Sequence, residues 1–249
     1  MIKRPDFSQL PEDKKIIFLV SGGRDSTAMT LEAYRLGIEG TMAFNNTGYN
    51  REGAFEVLEK LREITGYSLR VIEYDGTRPQ GEIMRESFMK IPDAIEAMRK
   101  TGKYQRNIFP CHHAFKERPM TRFIRSLDED CVLVLGIKGF DGAINRFYWM
   151  YKLREQGVFY RRHRRNGLLY YYPLRDLRDR DISAILAEWG MEHIKSSGCR
   201  LCPIFVMFPS WRKKEPETWA RSVAFARELG IDCEAVHQLQ LEEFFPEWG

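Results

Sequence analysis

The chain has 249 residues, enough to bury one full α/β core and to carry a smaller extension. Its 39 basic and 35 acidic side chains leave a formal charge of +4, which is too small to identify a nucleic-acid partner by itself. No run of residues approaches the roughly 20 apolar residues of a membrane helix, and the first residues lack the apolar core of an export signal, so we expect a cytoplasmic protein. Five cysteines, an odd number, then favour metal or redox chemistry over a disulfide framework.

Apolar runs alternate with helical patterns along the first 137 residues. Strands are predicted at 16–20, 41–45, 68–74 and 131–137, and helices follow the first strand as far as Gly37 and occupy 50–66, 81–100 and 115–127. This alternation predicts an α/β fold with an open, mostly parallel sheet and helices on both faces.

The pattern changes after residue 157. Two β runs within 158–172 are joined by Asn-Gly, the strongest short hairpin signal, and helices are predicted at 179–189, 217–229 and 233–245. We therefore predict an α/β domain over 1–204, with the hairpin inserted near 158–172, and a small C-terminal helical appendage over 205–249.

A phosphate-binding loop is predicted where the first strand ends. Gly22 and Gly23 can adopt positive φ and leave no Cβ in the way of an anion. The N–H groups of the first helical turn are unpaired and lie at the positive end of the helix dipole. The spacing differs from G-x-x-x-x-G-K-[ST], which argues against an ordinary P-loop. The nucleotide-binding residues predicted in this loop are Ser21, Gly22, Gly23, Arg24, Asp25, Ser26 and Thr27.

The turn after the second strand is a candidate adenine site. Phe44 and the backbone around Thr47 and Gly48 follow that strand, and open α/β sheets bind ligands at the carboxyl ends of neighbouring strands. The alternative interpretation is a plain polar turn.

The loop resembles the SGGxDS pyrophosphate loop of the adenine nucleotide alpha-hydrolase superfamily, also called the PP-loop ATP pyrophosphatases, which includes tRNA thiolation enzymes and the PAPS/APS reductases. The likeness to the PAPS/APS reductase branch continues in order through residues 16–204. Its further segments are Thr47-Gly48, Cys111-His112-His113-Ala114-Phe115-Lys116, the stretch from Gly136 to Arg146, Tyr172-Pro173-Leu174-Arg175-Asp176-Leu177 with Asp181-Ile182, and Gly198-Cys199-Arg200-Leu201-Cys202-Pro203. This resemblance implies that Gly136 belongs to the nucleotide site, that Lys138 and Arg146 contact phosphate or sulfate, and that Asp25 positions Mg²⁺ bound with ATP.

The sequence departs from that family at the metal positions. The family's tandem cysteine is Cys111-His112 here, so Cys111, Cys199 and Cys202 alone fall on cluster positions. Three thiolates suit a 4Fe-4S cluster with one iron completed by His112 or left open, or a zinc site with Cys3His ligation. Unmetallated cysteines are the third alternative. Cys131 and Cys233 are interpreted as structural residues.

The motifs support one leading function and two alternatives. The leading hypothesis is an enzyme that cleaves the α–β bond of ATP or a related adenine nucleotide, adenylates an acceptor and supports sulfur transfer through an iron-sulfur cluster, with Asp25, Lys138 and Arg146 as catalytic residues. A sulfonucleotide reductase that releases sulfite is the first alternative, although the Glu-Cys-Gly-x-His tail of those enzymes is missing. The second is a non-catalytic nucleotide- or nucleic-acid-binding protein with structural zinc.

The partners expected are an adenine nucleotide, a nucleic-acid acceptor and a sulfur donor protein. The hairpin carries the arginines that would grip a nucleic-acid backbone, with Tyr160 or Tyr170 stacking on a base. A solvated edge hairpin protected by its charge explains the same pattern. The arginines concerned are Arg161, Arg162, Arg164 and Arg165.

Overall fold

The structure, a computed structural model, describes residues 2–102, 106–139, 144–163, 167–195, 197–239 and 241; the side chains of Arg106 and of residues 144–149 lie outside that description. The strands are β1 Lys15–Val20, β2 Thr41–Asn46, β3 Ser68–Glu73, β4 Cys131–Leu135, β5 Tyr160–Arg162 and β6 Leu169–Tyr171. The helices are α1 Arg24–Arg35, α2 Ala54–Thr65, α3 Gln80–Met89, α4 Ile91–Thr101, α5 Pro110–His112, α6 Arg118–Arg125, α7 Ile144–Glu155, α8 Asp179–Glu188, α9 Pro203–Met207, α10 Trp211–Lys214, α11 Pro216–Glu228 and α12 Cys233–His237. A π-helical turn, His113–Glu117, joins α5 to α6.

The six strands form one mostly parallel sheet in the order β3-β2-β1-β4-β6-β5. β1 pairs in parallel with β2 and with β4, and β4 pairs in parallel with β6. β5 and β6, the predicted hairpin, pair in antiparallel orientation. The predicted fold class is therefore confirmed.

The chain divides into two compact units, each assembled from separate stretches. The first, called the sheet unit, comprises Met1–Asn45, Arg51–Ile72 and Arg122–Gly198. The second, called the helical unit, comprises Asn46–Asn50, Glu73–Thr121 and Cys199–Gly249. The predicted boundary at 204/205 thus differs from this division, because the C-terminal helices share a core with α3 and α4, not with one another alone.

Each unit has its own hydrophobic core. In the sheet unit, Phe18, Met29 and Leu58 are fully buried between the strands and the helices that follow them. In the helical unit, Phe88 of α3 packs with Phe208 and with other apolar side chains of α9 and α11. Burying this much apolar surface is what holds three separate chain segments together in each unit.

Two predicted helices differ from the observed ones for local reasons. The helix predicted over 81–100 is divided at Lys90, because Pro92 has no N–H and its ring excludes the carbonyl four residues earlier. The helix predicted from residue 50 begins at Ala54, because Gly53 has φ +82°, which is outside the helical region. Within the described residues, no helix is long and apolar enough to cross a membrane.

Candidate functional site

The loop between β1 and α1 has room for glycine only. Gly22 has φ +67°, and a Cβ there would lie 2.8 Å from the Ala54 backbone. A Cβ on Gly23 would lie 2.4 Å from the backbone nitrogen of Ser197. Such distances are far shorter than van der Waals contact, so a side chain at either position would collide with the neighbouring backbone.

The first turn of α1 has the features of an anion site. Gly23 precedes the helix in an extended conformation, and no described side chain caps the helix start. Gly136, after β4, lies so close that a Cβ on it would come within 2.8 Å of the Ser26 nitrogen. The helix start is therefore held by backbone packing, which leaves its dipole and N–H groups to a ligand.

The hydroxyl groups of the loop mostly brace it from within. The Ser26 hydroxyl accepts from the Ser21 nitrogen and donates to the Gly23 carbonyl, both at 3.1 Å. Thr27, fully buried, donates its hydroxyl to the same carbonyl at 2.9 Å. Direct phosphate contact by these side chains stays a prediction, and the Thr27 side chain is buried within the protein.

Lys138 joins the loop to α8. Its Nζ donates to both carboxylate oxygens of Asp25, at 2.8 and 2.9 Å, and to Oδ1 of Asp179 at 2.7 Å. The lysine side chain is only 8% exposed, whereas that of Asp179 is 82% exposed. The hydrogen bond from Lys138 lowers the pKa of Asp179, so this carboxylate is ionised at neutral pH.

Asp179 and its neighbourhood were not among the predicted site residues. The residue opens α8, and Ser183 of the same helix accepts a hydrogen bond from the Arg24 guanidinium. The loop and α8 are far apart in sequence, and the two acidic residues in the first turn of α8, Asp179 and Asp181, indicate only a helix start. Arg146 lies in α7, and its side chain is outside the described part of the chain.

The predicted adenine-binding residues already make contacts within the protein. Phe44 is 1% exposed and packs edge-on against Phe55, with 5.2 Å between ring centroids. In the helical unit, the Thr47 nitrogen donates to Asn50 at 2.7 Å and the Gly48 nitrogen donates to Asn46 at 3.0 Å. Contact of these residues with adenine stays a prediction, in which Phe44 would contribute its backbone and not its ring.

Three of the five cysteines, Cys111, Cys199 and Cys202, belong to the helical unit. Burial, with the neighbouring thiols of Cys199 and Cys111, raises the pKa of Cys202 to about 12. Burial also raises the pKa of Cys111, to which Cys199 adds, while Ser87 and Lys116 lower it. Ionisation of Cys111 and of Cys202 is thus disfavoured in part by neighbouring thiols, which is consistent with side chains that lie near one another.

The same thiols do not form a closed metal site as they stand. Among the described residues, no group of three or more His, Cys, Asp or Glu side chains is arranged so that it could hold a metal ion. His112 faces Glu117, with 3.5 Å between Nδ1 and Oε1. The donor chemistry, three adjacent free thiols in an apolar setting beside Lys116, nevertheless suits a soft metal or an iron-sulfur cluster.

The remaining cysteines are structural, as predicted. Cys131 opens β4 and is buried. Cys233 is 2% exposed, and its Sγ lies 3.6 Å from the Ile231 carbonyl oxygen and 3.9 Å from that of Val223. Neither thiol is placed to meet a substrate.

Two arginines of the basic hairpin make hydrogen bonds within the protein. Arg161 donates to the Tyr172 hydroxyl at 3.1 Å and lies over the Tyr170 ring, which His163 also covers. Arg162 donates to the Gly167 carbonyl at 2.6 Å. Of the two candidate stacking residues, Tyr160 is exposed. Arg164 and Arg165 lie outside the described residues.

No protein-family model matches the chain, and no curated protein is similar to it in sequence. Solved structures that it resembles include the phosphoadenylyl-sulfate (PAPS) reductase of Candida auris in a phosphate complex, with 11% identity, 76% of each chain covered and a TM-score of 0.49. NMN synthetase from Francisella tularensis matches with 14% identity over 73% of this chain and 63% of its own, at a TM-score of 0.42.

The U34-tRNA thiolase NcsA from Methanococcus maripaludis, solved with its 4Fe-4S cluster, matches with 15% identity over 90% of this chain and 76% of its own, at a TM-score of 0.47. Because each TM-score lies below 0.5, the function of this chain is inferred from its own residues.

Proposed function

We propose that the protein is a PP-loop enzyme that binds ATP or a related adenine nucleotide, cleaves the α–β phosphate bond and transfers the adenylate to an acceptor that then receives sulfur. The observation that carries this proposal is the glycine-only loop at the start of an uncapped α1, with Lys138, Asp25 and Asp179 beside it. An uncapped helix start beside a buried ammonium group is suited to a polyphosphate.

The residues divide the work by charge. Backbone N–H groups of the loop and of the first turn of α1 would bind the leaving pyrophosphate, which becomes more negative as the α–β bond breaks. Lys138 would move part of its contact from Asp25 to the reacting phosphate, and Asp25 would then be available to the Mg²⁺ that accompanies the nucleotide. Asp179 retains the ammonium group near the loop during this exchange.

The three adjacent thiols supply the second half of the proposal. Cys111, Cys199 and Cys202 would hold a 4Fe-4S cluster, with His112 or an open position at the fourth iron; zinc with Cys3His ligation is the alternative. When bound, a cluster with an open iron would hold a sulfide from the sulfur donor, which would replace the adenylate on the acceptor with release of AMP. The chain's own contribution is to keep three thiols together in apolar surroundings, where binding a metal offsets the cost of ionising them.

Sulfonucleotide reduction is less well supported. That reaction needs a nucleophilic thiol, and outside the metal set the chain offers Cys131 and Cys233, both of which are buried. Burial raises the pKa of Cys233, which lowers the fraction of the nucleophilic thiolate. A nucleic acid remains the proposed acceptor, with exposed Tyr160 and the hairpin arginines as its contacts.

Product analysis tests this function. Anaerobically purified protein would be incubated with ATP and Mg²⁺, and separately with PAPS or APS, while pyrophosphate and sulfite are measured and iron is quantified. We expect ATP-dependent pyrophosphate release, increased by RNA or a sulfur source, and no sulfite. Sulfite from PAPS or APS without pyrophosphate from ATP would replace the proposal with the reductase; nucleotide binding without either product, together with zinc, would support the binding-protein alternative.

A further inference from the structure

Two serines with the same surroundings lie in helices of the helical unit. Ser87 of α3 and Ser222 of α11 are both fully buried. The Ser87 hydroxyl donates to the Ile83 carbonyl at 2.7 Å, and that of Ser222 donates to the Thr218 carbonyl at 2.8 Å. A serine in a helix interior contributes little to helix stability, so two buried examples call for another reason.

The oxygen of each hydroxyl also accepts a hydrogen bond from a cysteine backbone. The Cys111 nitrogen donates to Ser87 Oγ at 2.8 Å, and the Cys202 nitrogen donates to Ser222 Oγ at 3.0 Å. Cys111 lies in the first turn of α5 and Cys202 immediately precedes α9. N–H groups at a helix start have no partner within their own helix, so each serine supplies the partner that the short helix cannot.

We propose that Ser87 and Ser222 are positioning residues that fix the backbone of Cys111 and Cys202 so that their thiols converge with that of Cys199. This inference rests on the proposed function of these thiols as metal ligands. Cys199 needs no such serine, because its backbone pairs with Asn50. The backbones of the three ligand positions are thus held by two hydroxyl groups and one β-bridge.

Replacing either serine by alanine leaves one cysteine N–H without its acceptor. Loss of one such hydrogen bond corresponds to about a tenfold shift between the held and the released segment. Loss of a group that orients a metal ligand typically lowers metal affinity by about 10- to 100-fold. The effect should be specific: Ser87→Ala should release Cys111, and Ser222→Ala should release Cys202.

The test combines two measurements on the full chain. Iodoacetamide alkylation of metal-free protein, resolved by cysteine with mass spectrometry, reports each thiol separately. Titration with Co²⁺ under anaerobic conditions, followed by its thiolate charge-transfer absorbance, reports metal affinity. Ser87→Ala should change the alkylation rate of Cys111 about tenfold with Cys202 unchanged, and Ser222→Ala should do the reverse. Both variants should bind Co²⁺ at least about tenfold more weakly.

Matched variants separate the hydrogen bond from packing and folding. Val223→Ala removes volume from α11 at a residue that is 3% exposed and leaves every cysteine N–H with its acceptor. It should change the alkylation rate of Cys202 less than Ser222→Ala does. Ser87→Thr and Ser222→Thr keep the hydroxyl and should react as the wild type does, which preserves the test if an alanine variant does not fold. Circular dichroism verifies that each protein is folded.

The outcomes distinguish the two proposals. Unchanged alkylation rates in both alanine variants, or threonine variants that behave like the alanine ones, would overturn the positioning role. Suppose instead that each alanine variant changes the alkylation rate of its own cysteine, while the wild-type protein binds neither Co²⁺ nor iron. The serine role would then stand, and the metal half of the proposed function would be refuted.

Discussion

Lys138 is nearly buried, and its ammonium group contacts two carboxylates, one on α1 just after the β1–α1 loop and one on α8. A buried lysine keeps its charge only with such partners, so the cluster is poised to accept a polyanion in place of one of them. Asp25 is the partner that a nucleotide and its Mg²⁺ would recruit. Asp179, which the sequence analysis missed, is the partner that would remain.

We therefore expect Asp25→Asn to lower ATP turnover by about tenfold or more, because a charge-assisted contact is worth roughly 1.5 to 3 kcal/mol. Pyrophosphate release measures the effect, and circular dichroism checks the fold. Asp128→Asn, at a side chain that is 77% exposed, is the matched control and should leave turnover unchanged. Equal turnover in wild type and Asp25→Asn would remove the loop carboxylate from the mechanism.

The cysteines allow a second prediction at the residue scale. Replacing any one of Cys111, Cys199 or Cys202 by serine should abolish bound iron and activity together if the three thiols form one ligand set, as we propose. Cys131→Ser and Cys233→Ser are the controls and should retain iron, since both thiols are buried elsewhere. Iron and sulfide analysis with absorbance near 400 nm measures the result. Iron retained after the loss of Cys111 would contradict the assignment.

At the scale of elements, the strands and the glycine turn after β1 were predictable because their signals are local. Alternating apolar runs, the Gly-Gly turn and the Asn-Gly hairpin each depend on neighbouring residues. The exposed or buried state of individual side chains in those elements was not predictable. Phe44 and Thr27 lie in predicted site segments but face the core, which depends on contacts with Phe55 and with the loop backbone.

The hairpin of β5 and β6 carries the third prediction. Neutralising Arg162 should reduce the salt dependence of RNA or DNA binding, each lost phosphate contact lowering the log–log slope by about 0.7 to 0.9. Arg161→Gln is expected to act partly through the hairpin itself, because that guanidinium holds the Tyr172 hydroxyl. Nucleotide affinity should survive in both. A wild-type protein without measurable nucleic-acid affinity at low salt would favour a small-molecule acceptor.

At the scale of the whole molecule, the division into two units could not be predicted from the chain order. Each unit draws on three stretches, and the segment from Glu73 to Thr121 joins the C-terminal helices through apolar contacts distant in sequence. The same holds for the pairing of Ser87 with Cys111 and of Ser222 with Cys202, which depends on how α3 and α11 pack. Hydrophobic periodicity shows which face of a helix is buried, but it does not show which other helix packs against that face.

The stability of the sheet unit should depend on pH through Asp176. Burial raises the pKa of this carboxyl group, but hydrogen bonds from Arg175 and Arg154 outweigh burial and bring the pKa below its ordinary 3.8. A carboxyl group with a lowered folded-state pKa stabilises the fold fully above the ordinary value and loses that effect as the pH falls toward the lowered one. Arg175, 5% exposed, has this carboxylate as the partner of its buried guanidinium group.

Asp176→Asn should therefore reduce the free energy of unfolding by about 1 to 3 kcal/mol at pH 7. The difference from wild type should shrink as the pH falls below the ordinary value of 3.8 and toward the lowered pKa. Urea unfolding followed by tryptophan fluorescence at several pH values measures this difference. Asp128→Asn removes a surface pair with 3.8 Å between its charged atoms and should change stability by about 1 kcal/mol or less at every pH. A difference between wild type and Asp176→Asn that stays constant from pH 7 to pH 3 would mean that packing of the side chain, and not its charge on Arg175 and Arg154, stabilises this part of the sheet unit.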